Sequence, residues 1–164
     1  MSSQTATSAA LTTEQSAWKG GVVCGLAGGA VMGVLLSVVM TPVIQGAIPS
    51  MYGLSGGLAG WVVHMSHSAV LGVVFAGVAA ALPQYSDSIG KSALLGAAFG
   101  IVLWIVLAAF VMPVWLSAVG SPANPPLPNF NPMSLLGHLA YGVVLGAVYP
   151  AVESLGEWSV AVRP

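Results

Sequence analysis

The 164-residue chain is 57% hydrophobic and only 4% charged, with a mean hydropathy of +0.93. A soluble domain carries roughly 25% charged residues, so that class is excluded. Three basic residues cannot build a nucleic-acid surface, and one cysteine cannot close an internal disulfide. The composition belongs in a lipid bilayer.

Residues 1–18 are rich in Ser, Thr and Ala and lack a basic leader. They read as a polar cytoplasmic tail rather than a signal peptide, with 12–20 able to form a short interfacial helix. Four apolar runs follow, each near the roughly 20 residues a membrane helix needs. The first covers about 20–41 and ends at Pro42. The second covers about 58–82 and ends at Pro83. The third covers about 92–116 and the fourth about 134–152, with a C-terminal tail at 153–164. Backbone groups have no water partners in hydrocarbon, so each run must be helical. The expected fold is an all-α integral membrane four-helix bundle. The loop 121–132 holds five prolines, which predicts a stiff, extended, partly polyproline II connection.

All seven charges (Glu14, Lys19, Asp87, Lys91, Glu153, Glu157 and Arg163) lie before the first run, between the second and third, or after the fourth. Four crossings put them on one side. Lys19, Lys91 and Arg163 mark that side as cytoplasmic, so both termini are expected inside the cytoplasmic membrane. Trp18, Tyr85 and Trp158 would anchor the inner interface, and Tyr52, Trp61 and Trp115 the outer one. Trp104 falls deep in the third span, where it should pack.

The sequence also repeats. His64-Met-Ser-His-Ser-Ala-Val-Leu-Gly-Val-Val-Phe75 aligns with His138-Leu-Ala-Tyr-Gly-Val-Val-Leu-Gly-Ala-Val-Tyr149. The first and third spans each follow a lysine and end near a Met and a Pro (Met40/Pro42 and Met112/Pro113). Residues 19–82 and 91–152 therefore read as tandem two-helix repeats. An even number of spans per repeat makes them parallel, with an expected pseudo-two-fold axis along the membrane normal. His64 and His138 would then share one depth.

Small residues recur every four positions: Gly21, Gly25, Gly29 and Gly33; Gly60, Ser68 and Gly72; Gly96 and Gly100; Gly142 and Gly146. Such ridges let helix backbones approach closely in lipid, within one chain or between copies. The paired histidines lie on these ridges and should face other helices.

Four stretches carry a resemblance: Ile48-Pro-Ser-Met-Tyr-Gly-Leu54, the segment 63–72 around His64, the segment 111–126 beginning Val111-Met-Pro-Val-Trp115, and the segment 137–146 around His138. The chain resembles small four-helix membrane proteins found widely in haloarchaea, which often carry the automatic label "histidine kinase". The resemblance implies the four-helix fold and no defined activity. The chain departs from haloarchaeal habit in its mild acidity, as burial in a bilayer would explain. A kinase reading fails on the residues, which offer no nucleotide lid, no acidic metal cluster and no soluble domain.

Polar chemistry is confined to the outer half: His64, His67, His138, Tyr141, Ser66 and Ser68, with sulfur from Met40, Met65, Met112 and Met133. Ionisable residues at membrane depth are functional candidates. The plain alternative is that the histidines bond backbone carbonyls near Pro42 and Pro113. Two facing histidines, with His67 and Tyr141 beside them, could hold haem b. His64, His67, His138, Met40 and Met112 suit copper or another soft metal. A small-solute or ion pathway through an oligomer is a third option. No carboxylate lies near the histidines, which disfavours triad or carboxylate-pair enzymology. Cys24 reads as a packing residue. The expected role is a non-enzymatic membrane module or accessory subunit, in contact with lipid and open to a homo-oligomer or larger complex.

Overall fold

A computed structural model describes the backbone of residues 2–161 and the side chains of 18–154. The tail side chains, with Glu14, Trp158, Glu157 and Arg163, lie outside the described residues. The elements are α1 (Ser2–Val39), a π-helical turn (Val43–Ala47), α2 (Ile48–Ser50), α3 (Gly57–Ala81), α4 (Ile89–Leu103), a π-helical stretch (Trp104–Val111), α5 (Met112–Ala118) and α6 (Pro132–Ala161). No strand occurs among the described residues. Four segments are long and apolar enough to cross a membrane: Trp18–Val39, Gly57–Ala81, Ile89–Ala118 and Pro132–Ser154. Valines 38, 62, 70 and 114 are exposed on their outer faces. Water would not tolerate so continuous an apolar exterior.

The third segment is longer than its composition suggested. It starts at Ile89 and continues through the π stretch and α5 to Ala118. At 1.5 Å per residue it runs roughly 45 Å, against a hydrocarbon core of about 30 Å. Proline explains how its far end is held. Pro113 has no N–H for the carbonyl four residues back, Ala109. The N–H of Asn129, in the proline-rich loop, donates to that carbonyl at 2.9 Å. Pro49 leaves Gln45 in the same position, and the Gly56 N–H donates to it at 2.9 Å. Each freed carbonyl thus recruits a loop, as buried backbone groups require.

Two connections therefore differ from open loops. Residues 43–50 are helical, and Ile44, Ala47, Ile48 and Pro49 are buried. The loop 121–132 folds back on the π stretch: the Trp104 indole N–H donates to the Asn131 carbonyl at 3.2 Å, and Phe130 packs on Trp104 and Phe110. At the opposite end the connection is short, a single 3-10 turn at Pro83–Tyr85. There Lys91 pairs with Asp87 at 2.8 Å. That hydrogen bond, with the lysine charge, holds the Asp87 carboxyl below its usual range.

Packing is uneven around the bundle. α1 lies against both α3 and α6, and α6 lies against both α1 and α4. α3 and the third segment touch only sparsely. A closed two-fold pairing of the hairpins would make the α1–α6 and α3–third-segment contacts equal. The expected pseudo-two-fold arrangement is therefore corrected: the order across the bundle is α3, α1, α6, α4, with one seam left open.

The tight crossings are built from glycine. A Cβ on Gly25 would meet the Ser68 carbonyl and Gly72, and one on Gly72 would meet Gly21 and Gly25. On the other hairpin a Cβ on Gly96 would meet the Gly142 carbonyl and Gly146, and one on Gly100 the His138 carbonyl. Gly29 faces Ser68. Gly33 and Gly60 act differently: Gly33 sits beneath the Trp61 ring, and Gly60 beneath the Ile44 carbonyl. Trp61 lies over α1, its indole N–H donating to Ser37 Oγ at 3.1 Å. Phe75, Phe99 and Tyr149 stack edge to face at 5.5 Å and fill the interior toward the charged end.

Candidate functional site: a histidine-lined cavity

Where α3 and the third segment diverge, a cavity of about 320 Å³ opens. That is the lower end of the range for small-molecule sites. α1 contributes Met32 and Leu36, and the buried turn contributes Val43, Ile48 and Met51. α3 contributes His64, His67 and Ser68, and α6 contributes Ser134, His138 and Tyr141. Leu103, Leu107, Ala108, Met112 and Trp115 form the wall from the third segment. Among the described residues no Asp, Glu, Lys or Arg lines it.

Two of the three histidines, His64 and His138, are held in defined tautomers. His64 Nε2 lies 2.8 Å from the Gly29 carbonyl of α1. His138 Nδ1 lies 2.7 Å from the Ser134 carbonyl of its own helix. A carbonyl only accepts, so those nitrogens carry the proton of the neutral ring. Nδ1 of His64 and Nε2 of His138 are left as lone-pair acceptors. Among the described residues neither has a hydrogen-bond partner, yet neither is sealed off: Ser92 Oγ on α4 is the buried side-chain polar atom without one. The bonded carbonyls are not those near Pro42 and Pro113. Gly29 is offered because its missing side chain leaves the α1 carbonyl within reach of α3.

The other polar groups brace the helices. The Tyr141 hydroxyl donates to the Ser68 carbonyl at 2.9 Å, linking α6 to α3. Ser68 Oγ donates to the His64 carbonyl. His67 Nε2 lies 2.7 Å from the Tyr52 hydroxyl. Tyr52 in turn packs on Trp115 with ring centroids 5.7 Å apart, and the Trp115 indole N–H donates to the Met51 carbonyl at 3.0 Å. These contacts roof the cavity at the uncharged end.

The chain's residues 15–158 match a family of unknown function, DUF6789. The chain belongs to that family. It matches no curated protein and no solved structure.

In this DUF6789 protein, His64, His67, His138, Tyr141 and Met112 share one cavity. Met40 is half-buried against the core outside it. Met65 lies beside Gly29, Met133 is exposed, and Ser66 bonds within its own helix to the Val62 carbonyl. Cys24 is fully buried. Among the described residues no three His, Cys, Asp or Glu cluster as a metal site. A metal would rest on the free imidazole nitrogens of His64 and His138 and sulfur from Met32, Met51 or Met112. Haem fits less well, since no cation in the lining meets its propionates. Composition gave little reason to single out Met32, Met51 and Ser134 in the lining, or Tyr52 in its roof. The signal was indirect: Met51 and Tyr52 sit in an uncharged stretch too apolar for an open loop.

Proposed function

We propose that this DUF6789 protein is an integral membrane binding module, non-enzymatic, that holds a small ligand in the histidine-lined cavity. The observation carrying the proposal is that His64 Nδ1 and His138 Nε2, on facing helices, have no hydrogen-bond partner among the described residues while both histidines line a mostly apolar cavity of about 320 Å³. Polar groups inside a membrane bundle normally find partners, and acceptors of His64 and His138 left open at one accessible cavity mark a place for one. The positive-inside rule supports a cytoplasmic location for both termini, which sets the cavity in the outer half of the bilayer. The tandem-repeat reading gains support from the crossings. Gly25 meets Ser68 and Gly72 as Gly96 meets Gly142 and Gly146, the same register that pairs His64 with His138. The kinship with haloarchaeal four-helix proteins rests on the four stretches named above.

A second reading is a soft metal held by His64 and His138 with methionine sulfur. It is favoured by one detail: each histidine donates its other N–H to a backbone carbonyl, as metal-ligating histidines do. Chemical analysis of gently purified protein separates the two, with wild type beside His64→Ala and His138→Ala. An extractable organic molecule near one per chain, without a Soret band or metal, is expected. Stoichiometric metal lost in both variants would establish the second reading. Protein that carries neither and takes up no added uncharged ring compound would overturn the binding role.

A further inference from the structure

The cavity's walls, roof and mouth restrict what can occupy it. Its roof is stitched shut on the side facing the uncharged loops. Tyr52 bonds His67 at 2.7 Å, Trp115 bonds the Met51 carbonyl at 3.0 Å, and Ser50 Oγ lies 2.8 Å from Ser121 Oγ. The open side is the seam between α3 and the third segment. There the lining residues Val70 and Val111 are 63% and 40% exposed. In a bilayer that seam faces acyl chains, so the route in is lateral.

A ligand that enters from hydrocarbon and meets no charge in the lining must itself be uncharged, because desolvated charge without a partner is prohibitively costly. The fixed tautomers add a second constraint. The free nitrogens of His64 and His138 accept and neither donates, so a ligand gains by donating to them. Leucine walls and the Trp115 ring suit a flat apolar body.

Resting on the binding role proposed above, we infer that the cavity takes an uncharged, lipid-dissolved, hydroxyl-bearing ring compound of the hydroquinone class, which enters between α3 and the third segment and donates to His64 Nδ1 and His138 Nε2. The reduced compound binds better than its oxidised form or its ether. Both of those keep the ring and tail and lose the donors.

The test uses the full chain in lipid nanodiscs under anaerobic conditions, with decylhydroquinone, the matching decylquinone and the di-O-methyl ether as probes. Tryptophan fluorescence, to which Trp115 in the lining contributes, and calorimetry report binding. Decylhydroquinone is expected to bind at least about tenfold more tightly than either comparator, the equivalent of one good hydrogen bond. His138→Leu removes one of the two acceptors, so it should weaken hydroquinone binding part-way toward the ether and leave ether binding unchanged. Retained ether binding shows that the variant is folded. Val70→Trp, at an exposed position, should weaken all three probes together by narrowing the mouth. Equal affinity for the three probes would overturn the donor assignment, and so would an equal loss of the ether in His138→Leu. Full binding by Val70→Trp would overturn the lateral route. If no probe binds but purified protein carries a metal or another organic molecule, this inference falls and the binding role stands. If nothing binds and nothing is carried, both fall.

Discussion

The two ends of the bundle solve the packing problem in opposite ways. Toward the charged end, helices meet backbone to backbone at Gly21, Gly25 and Gly72 and at Gly96, Gly142 and Gly146. The residual space there is filled by Phe75, Phe99 and Tyr149. Toward the uncharged end α3 and the third segment diverge, prolines free carbonyls that loops must cap, and a cavity with open imidazole nitrogens on His64 and His138 remains. Lipid supplies no hydrophobic drive between helices, so close approach and hydrogen bonds must do the holding. The difference teaches that one end carries the stability, which frees the other to stay open.

Substitutions should divide along the same line. Gly142→Leu should have the largest effect. Its side chain would be driven into the Gly96 carbonyl, a backbone group that cannot step aside. The cost should reach about 3 kcal/mol or more, read as loss of monodisperse protein or of the unfolding transition. His64→Leu removes the hydrogen bond from the His64 side chain to α1 and leaves the Gly29 carbonyl without its imidazole donor. A loss of about 1 kcal/mol is expected in a reversible unfolding assay. A neutral result would mean that the histidine is held by ligand rather than by α1.

Ala108→Phe sharpens the contrast. Ala108 lines the cavity, so the added ring enters empty space. Stability should change by less than about 1 kcal/mol while any bound ligand is lost, both readable by thermal unfolding and chemical analysis of one sample. Ser92→Ala should do least. The Ser92 hydroxyl is buried without a partner against the α6 crossing, so its removal should leave stability unchanged or raise it by up to about 1 kcal/mol.

The spans, their number and the placing of charge at one end were legible in the sequence, because hydropathy over 20 residues reports directly on lipid exposure. The convergence of His64, His67 and His138 was also legible, since position along a helix sets depth and the small-residue ridge sets the face. The hydrogen-bond partners were not. They depend on how closely helices approach, which gave His64 the Gly29 carbonyl and His138 a carbonyl of its own helix. The helical turn at 43–50 was hidden because Pro42 and Pro49 signal chain breaks locally. Burial of Ile44 and Ile48 overrides that signal. The open seam was beyond reach, since a repeat fixes which residues correspond and not which hairpin faces are joined.

Disulfide cross-linking in native membranes tests the open seam most directly, in a Cys24→Ala background. Cysteines replacing Met32 and Gly137 lie at the α1–α6 contact, where Met32 reaches within 3.4 Å of a Cβ on Gly137. Cysteines replacing Leu71 and Leu107 belong to opposite walls of the cavity. The Met32/Gly137 pair should join rapidly under mild oxidant and the Leu71/Leu107 pair should stay reduced. Equally rapid joining of Leu71 and Leu107 would mean that α3 packs on the third segment, and the cavity would not exist.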